Sequence, residues 1–225
     1  NSMKNPVGSY RREFTLPANW DGRDVFVRFN GAGPGYYLWV NGTQVGYSED
    51  SYLPSEFKIT DYIKKGTNVI AVQVYRLTGI SRDVFVWSAP KTQIRDYFFQ
   101  TDLDDTYTNA TVKLDVELTG LALSSGKLTA KIVDKGSVIA EQSIASAQLG
   151  KSTMTMNVAN PKKWTAETPY LYDLVLTLEN GGKSIDIRGS KVGFREIGIG
   201  KDGSLQVNGQ RIIFHGVNRH DHSMI

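Results

Sequence analysis

Cysteine is absent from this sequence of 225 residues, and histidine occurs only three times. Without cysteine, a disulfide scaffold, a thiol nucleophile and a thiolate zinc site are all excluded. The histidines stand at positions 215, 220 and 222, so a histidine-rich metal centre elsewhere in the chain is excluded as well. No run of 18 apolar residues occurs, and no membrane-spanning helix is predicted.

A marked excess of charge of either sign is also missing. The chain has 26 basic and 23 acidic residues, a net charge of +3. This balance is too even to indicate a nucleic-acid partner. The first residues, Asn1-Ser2-Met3-Lys4, are not followed by an apolar segment, so no signal peptide is visible.

The dominant pattern in the first part of the chain is an alternation of apolar and polar residues, which is typical of half-buried β-strands. Strands are predicted at residues 10–16, 25–30, 36–40, 68–75 and 84–87. Asn41-Gly42 favours a hairpin with a type I′ turn after the third of them. Trp39 and Trp87 are predicted to be core residues. The single helix candidate covers residues 59–64, with Thr60 as its N-cap.

The second part of the chain continues this alternation in seven short segments. Strands are predicted at residues 94–102, 110–118, 127–133, 138–144, 152–158, 171–179 and 184–192. Seven strands in about 100 residues are typical of an immunoglobulin-like sandwich, here without its disulfide. Asn180-Gly181-Gly182 predicts a hairpin within this region, and Asn208-Gly209 predicts another beyond it.

One polar loop carries a candidate binding site. Glu49, Asp50 and Glu56 stand close in sequence to Tyr47 and Tyr52. Carboxylates accept hydrogen bonds from sugar hydroxyls, and exposed aromatic rings stack on sugar faces. The alternative interpretation is a solvated loop at a domain edge, because loops are usually polar.

Several motifs in order along the chain resemble the bacterial β-galactosidases of glycoside hydrolase family 2. VNG, VGYSEDS, LPSEF and ITDYI, between residues 40 and 63, are similar to the sugar-binding domain of that family. NPVGSY, at residues 5–10, resembles the entry to a core strand of the same domain. VGFR, at residues 192–195, resembles the end of the family's immunoglobulin-like domain. NGQRIIFHGVNRHDH, at residues 208–222, resembles the entry to its catalytic barrel.

This resemblance implies an all-β chain with three parts. Residues 1–92 would form a jelly-roll, galactose-binding-like domain that is expected to lack its first strands. Residues 93–195 would form the immunoglobulin-like β-sandwich. Residues 196–225 would be the first hairpin and strand of a (β/α)₈ TIM barrel. The chain would then be the non-catalytic N-terminal part of a retaining glycosidase that hydrolyses terminal β-D-galactosides, and it would be inactive by itself.

The resemblance also implies roles for the last residues. Retaining glycosidases use two carboxyl groups about 5–5.5 Å apart. In this family both are glutamates that lie beyond the end of this sequence, so no catalytic residue is assigned here. His220 matches a family histidine that hydrogen-bonds a galactose hydroxyl, and Asn218 and Asp221 share its loop. The alternative is a purely structural pairing of Arg219 with Asp221. His220 and His222 lack a third partner for a metal site.

The sequence departs from the family pattern at two places. The family has a longer acidic and aromatic loop, with an aspartate that binds sodium and substrate, where Arg76 is here followed directly by Leu77. It often has an asparagine where this chain has Gly31-Ala32-Gly33-Pro34-Gly35. No cofactor is therefore expected within this chain, and the Mg²⁺ and Na⁺ of the parent would use residues not present here.

Two alternatives stay open at this point. One is a stand-alone carbohydrate-binding or interaction module, which would bind sugar without hydrolysis. The other is a β-glucuronidase or β-mannosidase of the same family. The resemblance implies carbohydrate as the partner and a parent that forms homo-oligomers. Neither nucleic acid nor a membrane is expected as a partner, and the compartment, bacterial cytoplasm or periplasm, stays open.

Overall fold

A computed structural model of the chain describes residues 6–216, except for the side chains of residues 76–78. The described residues form strands, turns and two single turns of 3₁₀ helix, Ala18–Trp20 and Thr60–Tyr62. The chain divides into two compact units, Asn1–Lys91 and Thr92–Ile225, and each has an apolar core of its own. The predicted all-β fold class is confirmed.

Two antiparallel sheets make up the first unit. Its strands are β1 (Val7–Thr15), β2 (Asp24–Phe29), β3 (Ala32–Val40), β4 (Thr43–Glu49), β5 (Ser55–Lys58), β6 (Thr67–Ile80) and β7 (Val84–Ala89). One sheet has the order β1-β6-β3-β4 and the other the order β5-β2-β7. The alternation of side chains places one face of each sheet in the core. Val27 and Phe29 of β2 and Leu38 of β3 are completely buried there.

The predicted hairpin between β3 and β4 is confirmed. Asn41 and Gly42 have φ angles of 51° and 86°. Type I′ turns need positive φ at both central residues, which asparagine and glycine tolerate. This turn sets the pairing of Val40 with Thr43.

The helix predicted at residues 59–64 is wrong in extent, since only the 3₁₀ turn Thr60–Tyr62 forms. Thr60 is not its N-cap. The Oγ1 atom of Thr60 instead accepts a hydrogen bond from the backbone N–H of Val25, 2.9 Å away. The same region contains β5, which was predicted as loop. β5 pairs with β2 from Phe26↔Lys58 to Phe29↔Ser55 and forms an edge of its sheet.

The prediction that Trp39 and Trp87 are core residues is also wrong. Trp39 lies between the buried residues Leu38 and Val40 and is itself only half-buried. It therefore faces away from the core, with its ring 5.9 Å from that of Tyr37. Trp87 is half-buried and stacks on Phe26 at a centroid distance of 4.8 Å.

The first unit has an apolar cleft beside β1 and β7. Its volume is about 720 Å³, and its lining includes Phe14, Trp20, Val27 and Ile70. Phe85 of β7 is 43% exposed on this side of the unit. A complete jelly roll is expected to have further strands over this cleft, and this expectation stays a prediction.

The second unit contains the seven predicted strands, which agree with the structure to within two residues at each end. They are β8 (Gln93–Leu103), β9 (Ala110–Thr119), β10 (Gly126–Asp134), β11 (Ser137–Ile144), β12 (Gly150–Val158), β13 (Tyr172–Asn180) and β14 (Lys183–Val192). The sheet β11-β10-β13-β14 and the sheet β12-β9-β8 contribute to one core. Gly181 and Gly182 have positive φ in the predicted hairpin between β13 and β14.

A small sheet follows within the second unit. Its strands are β15 (Ile197–Ile199), β16 (Leu205–Val207) and β17 (Gln210–Arg211). The turn Asn208-Gly209, with φ angles of 50° and 73°, joins the last two as predicted. Ile213 and Phe214 beyond it are 68% and 79% exposed. Among the described residues, no helix has the length and apolar character needed to cross a membrane.

Candidate functional site

The three carboxylates of the predicted sugar-facing loop have different surroundings. Asp50 follows β4 and has a φ angle of 91°. Its Oδ1 atom accepts hydrogen bonds from the backbone N–H groups of Tyr52, at 2.8 Å, and Leu53, at 3.2 Å. These bonds lower the pKa of the Asp50 carboxyl group, and the bond from Tyr52 has the larger effect. Asp50 thus stabilises the turn that leads to β5.

Glu56 lies in β5 on the outer face of its sheet. Its Oε2 atom accepts a hydrogen bond from Nε1 of Trp87 at 3.0 Å and lies 3.9 Å from Nη1 of Arg28. The Glu56 side chain is 22% exposed. The carboxylate therefore joins β2, β5 and β7 across one sheet.

Glu49 is exposed at the end of β4, where it lies beside aromatic rings. Its Oε1 atom accepts a hydrogen bond from the hydroxyl of Tyr47 at 2.7 Å. This bond is the largest of the effects that raise the pKa of Tyr47. The Tyr47 hydroxyl therefore holds one oxygen of the carboxylate in place.

Glu49 and three tyrosines surround an open depression of about 500 Å³, which we call the tyrosine depression. It is lined by Pro34, Gly35, Tyr37, Tyr47, Glu49 and Tyr75. The ring of Tyr37 lies 4.7 Å from that of Tyr47 and 5.8 Å from that of Tyr75. The interplanar angles are 41° and 75°, so the three rings present faces in different directions around one space.

Strand pairing explains why these rings meet. Tyr37 of β3 pairs with Tyr47 of β4, and Gly35 of β3 pairs with Tyr75 of β6 and with Glu49 of β4. Residues that pair directly, or lie two apart on a strand, share one face of a sheet. The sequence interpretation recognised Tyr47 and Glu49, but it missed Tyr37 and Tyr75. The signal that they face outward is the alternation of side chains along a strand, because each directly follows a buried position, 36 or 74.

Gly35 keeps the depression open. A Cβ atom at this position would lie 2.8 Å from the hydroxyl oxygen of Tyr47. Any side chain here would displace Tyr47 from its place beside Glu49. The depression thus depends on a glycine at the pairing position between two tyrosine-bearing strands.

Gly33 occupies the segment in which the family often has an asparagine. A Cβ atom at Gly33 would lie 2.5 Å from Oγ and 2.7 Å from Cα of Ser51. Because one of these contacts is to the backbone, a side chain does not fit without a shift of the loop after β4. The geometry of this chain therefore disfavours an asparagine at position 33.

The place of the expected family loop is marked by an irregularity in β6. Gly33 pairs with Gly79 and Gly35 pairs with Tyr75, so residues 76–78 of β6 stand opposite Pro34 alone. Gly79 has a φ angle of 66°. The strand therefore continues to Ile80 through a bulge that borders the tyrosine depression.

Asn218, His220 and Asp221 lie outside the described residues, and their predicted contact with a galactose hydroxyl stays a prediction. Within residues 6–216, no group of three or more histidine, cysteine, aspartate or glutamate side chains is arranged to hold a metal ion. The expectation that Mg²⁺ and Na⁺ would use residues outside this chain stays a prediction.

Family comparison gives two matches that together cover residues 1–195. A family model described as "Glycosyl hydrolases family 2, sugar binding domain" matches residues 1–121. A second, described as "Glycosyl hydrolases family 2", matches residues 92–195. The tyrosine depression lies within the range of the first model.

Curated relatives named β-galactosidase are similar to almost all of this chain. The protein from Priestia megaterium is 36% identical and covers 96% of the chain, which spans 23% of that protein. The protein from Clostridium acetobutylicum is 38% identical and covers 97% of the chain, which spans 26% of that protein. The alignment with the protein from Leuconostoc mesenteroides, 37% identical, has 243 positions, 18 more than the 225 residues here. That relative therefore carries residues that this chain lacks.

Solved structures show the same fold. A glycosyl hydrolase family 2 member from Bacteroides cellulosilyticus matches 92% of the chain with a TM-score of 0.82 and 26% identity, and the chain covers 29% of it. The β-glucuronidase from Ruminococcus gnavus matches 93% of the chain with a TM-score of 0.81, and the chain covers 40% of it. At 22% identity, the second likeness concerns the fold alone.

Proposed function

Since this chain belongs to glycosyl hydrolases family 2, we propose that it is the non-catalytic N-terminal part of a retaining β-galactosidase. The first unit would act as the carbohydrate-binding domain of that enzyme and the second as its immunoglobulin-like domain. The complete enzyme would hydrolyse terminal β-D-galactosides. The chain by itself would be inactive.

One observation carries this proposal. Relatives named β-galactosidase align with 96–97% of the chain, whereas the chain spans only 22–26% of their length. Roughly three quarters of each relative thus has no counterpart here. The identity of 35–38% to these proteins favours galactosides over the glucuronides of the structural neighbour, which is 22% identical.

Two carboxylates of the candidate loop, Asp50 and Glu56, are engaged in structural contacts. A retaining mechanism needs one carboxyl group as the acid and a second as the nucleophile, about 5–5.5 Å apart. Asp50 is held by two backbone N–H groups, and Glu56 is held by Trp87 beside Arg28. The two backbone bonds lower the pKa of the Asp50 carboxyl group and so favour its ionised form, which is the wrong form for a general acid.

Metal ions and assembly belong to the proposal for the complete enzyme only. Mg²⁺ and Na⁺ would be held by residues other than those described here. A homo-oligomer is proposed for the parent on the family resemblance alone.

The test compares this chain with the longer polypeptide from the same gene, using an aryl β-D-galactoside. We expect hydrolysis by the longer polypeptide, with the β-anomer of galactose appearing first in ¹H NMR spectra, and none by the 225-residue chain. Aryl β-glucuronide and β-mannoside serve as comparison substrates. Hydrolysis by the short chain at a comparable rate would contradict the assignment, and so would a preference of the longer protein for either comparison substrate.

A further inference from the structure

We propose that the tyrosine depression binds a neutral hexopyranoside of the galactoside type, at a site made entirely by the first unit. The choice of sugar rests on the function proposed above, whereas the location rests on the geometry of Tyr37, Tyr47, Tyr75 and Glu49. These residues have no role in the catalytic chemistry expected of the parent. The site would capture substrate or product without cleaving it.

The aromatic rings provide the apolar half of the site. Tyr47 is 44% exposed, and Tyr37 and Tyr75 are half-buried beside it. Tyrosine places a rigid apolar face and a polar hydroxyl on one side chain with little conformational entropy to lose. A pyranose ring has the matching character, with a face of C–H groups and a rim of hydroxyls. The volume of about 500 Å³ falls within the range of small-molecule sites, about 300–1,000 Å³.

Glu49 provides the polar half of the site. Its bond from the Tyr47 hydroxyl fixes the carboxylate at the edge of the rings. An ionised carboxylate has about four acceptor positions, so this one bond leaves others for sugar hydroxyls. Hydrogen bonds to a charged acceptor are stronger than neutral ones. The carboxylate would thus orient a ring that the tyrosines hold less specifically.

The charge of the lining selects the class of sugar. Among the described lining residues, Glu49 is the one with an acidic side chain, and none is basic. An anionic sugar such as a uronate would therefore be repelled, whereas a neutral galactoside would not. A phosphate or uronate site needs arginine or lysine, and the described lining has neither.

The inference is tested by titrating the 225-residue chain with methyl β-D-galactopyranoside and following the chemical shifts by NMR. We expect saturable shifts centred on residues 35–49 and Tyr75, with a dissociation constant in the range of about 1 mM. D-Glucuronate at the same concentrations should give no saturable shifts. Shifts that do not saturate, or equal binding of glucuronate, would overturn the proposal.

Three variants locate the site. Tyr47→Ala removes a ring and is expected to weaken binding by about tenfold or more. Glu49→Gln keeps the shape and removes the charge, and it is expected to weaken binding less than Tyr47→Ala. The matched control is Tyr52→Ala, because Tyr52 is 75% exposed in the following loop but does not line the depression. Equal weakening by Tyr47→Ala and Tyr52→Ala would place the sugar elsewhere. If Tyr47→Ala loses its native circular dichroism spectrum, the sugar affinities of Tyr47→Phe and Glu49→Gln test the location of the site instead.

The two proposals fail in different ways. If the longer polypeptide hydrolyses galactosides but the chain shows no tyrosine-dependent binding, only this inference falls. If binding depends on Tyr47 but the longer polypeptide does not hydrolyse galactosides, the proposed enzyme function falls and the binding site stands.

Discussion

The side-chain amide of Asn41 donates a hydrogen bond to Oδ1 of Asn68, 2.8 Å away, and this bond connects the β3–β4 turn to the start of β6. Asn68 is completely buried. Its amide donates to the carbonyls of Lys64 and Gly66, and its Oδ1 atom also accepts from the N–H of Lys64. Asn41 in turn accepts a bond from the N–H of Val69 at 3.0 Å. Two asparagines thus satisfy the backbone of the segment that leads into β6.

Removal of the buried amide is the first prediction. Asn68→Ala should lower the free energy of unfolding of the first unit by about 2–4 kcal/mol, because it removes the hydrogen bonds that the buried Asn68 side chain makes with Asn41, Lys64 and Gly66. Urea unfolding followed by tryptophan fluorescence measures this loss. Asn19→Ala, at an exposed asparagine of the same unit, is the control and should change stability little. A loss of equal size in both variants would show that the hydrogen-bond network of Asn68 does not contribute to the free energy of unfolding.

The second prediction concerns the glycine opposite Ser51. Gly33→Ala should destabilise the first unit by about 1–3 kcal/mol, since the new Cβ atom meets the Ser51 backbone. Gly31→Ala is the matched control, because there a Cβ atom meets only the side chains of Ser81 and Arg82, at 3.1 Å. Thermal unfolding of the two variants compares them directly. Equal melting temperatures would mean that the loop around Ser51 shifts away from the new Cβ atom without a loss of stability.

The third prediction concerns the core of the second unit. Phe194 is completely buried, with its ring edge-to-face against Tyr172 at 5.0 Å and Phe99 at 6.1 Å. Phe194→Ala should therefore cost about 3–5 kcal/mol of unfolding free energy. Phe98→Ala, at a position that is 61% exposed, should cost far less. The fluorescence of Trp164, the one tryptophan of this unit, reports the transition. A small effect of Phe194→Ala would mean that neighbouring side chains move to fill the cavity left by the Phe194 ring.

The fourth prediction is a loss of stability in alkali. The hydroxyl of Tyr170 donates to Oδ1 of Asp134 at 2.6 Å, and this bond, with smaller effects of burial and of the Asp134 charge, raises the pKa of Tyr170 from 10.0 to about 12. Because the folded pKa exceeds the unfolded value, the stabilisation is complete below pH 10 and is lost as the pH rises towards 12. Urea unfolding across this range should show the loss, and Tyr170→Phe should reduce it. An identical pH profile in Tyr170→Phe would contradict the assignment.

Local chemistry explains why most of the strands were predictable. The buried positions of β2 and β13 alternate without interruption, so a period of two identifies the strand and its inner face. Asn41-Gly42 and Asn208-Gly209 specify their turns through positive φ angles that few other residues tolerate. These signals need no knowledge of the remaining chain. The short edge strand β5 escaped prediction because its four residues, Ser55–Lys58, include two charged ones.

The candidate site was only partly predictable because it depends on contacts between distant segments. Glu49, Asp50 and Glu56 are neighbours in sequence, yet Glu49 ends β4 of one sheet and Glu56 lies in β5 of the other. Their side chains consequently have different partners. No sequence pattern could separate the turn-stabilising role of Asp50 from the exposed position of Glu49.

The sequence alone determined the all-β class, the positions of most strands and turns, and the family, because each of these follows from residues close together in the chain. The tertiary structure alone decided which side chains share a surface. Tyr37, Tyr47 and Tyr75 belong to three strands. The register of β3 with β4 and β6 brings the rings of Tyr47 and Tyr75 to within 6 Å of the Tyr37 ring. A shift of one residue in that register would turn a ring to the opposite face and remove the depression.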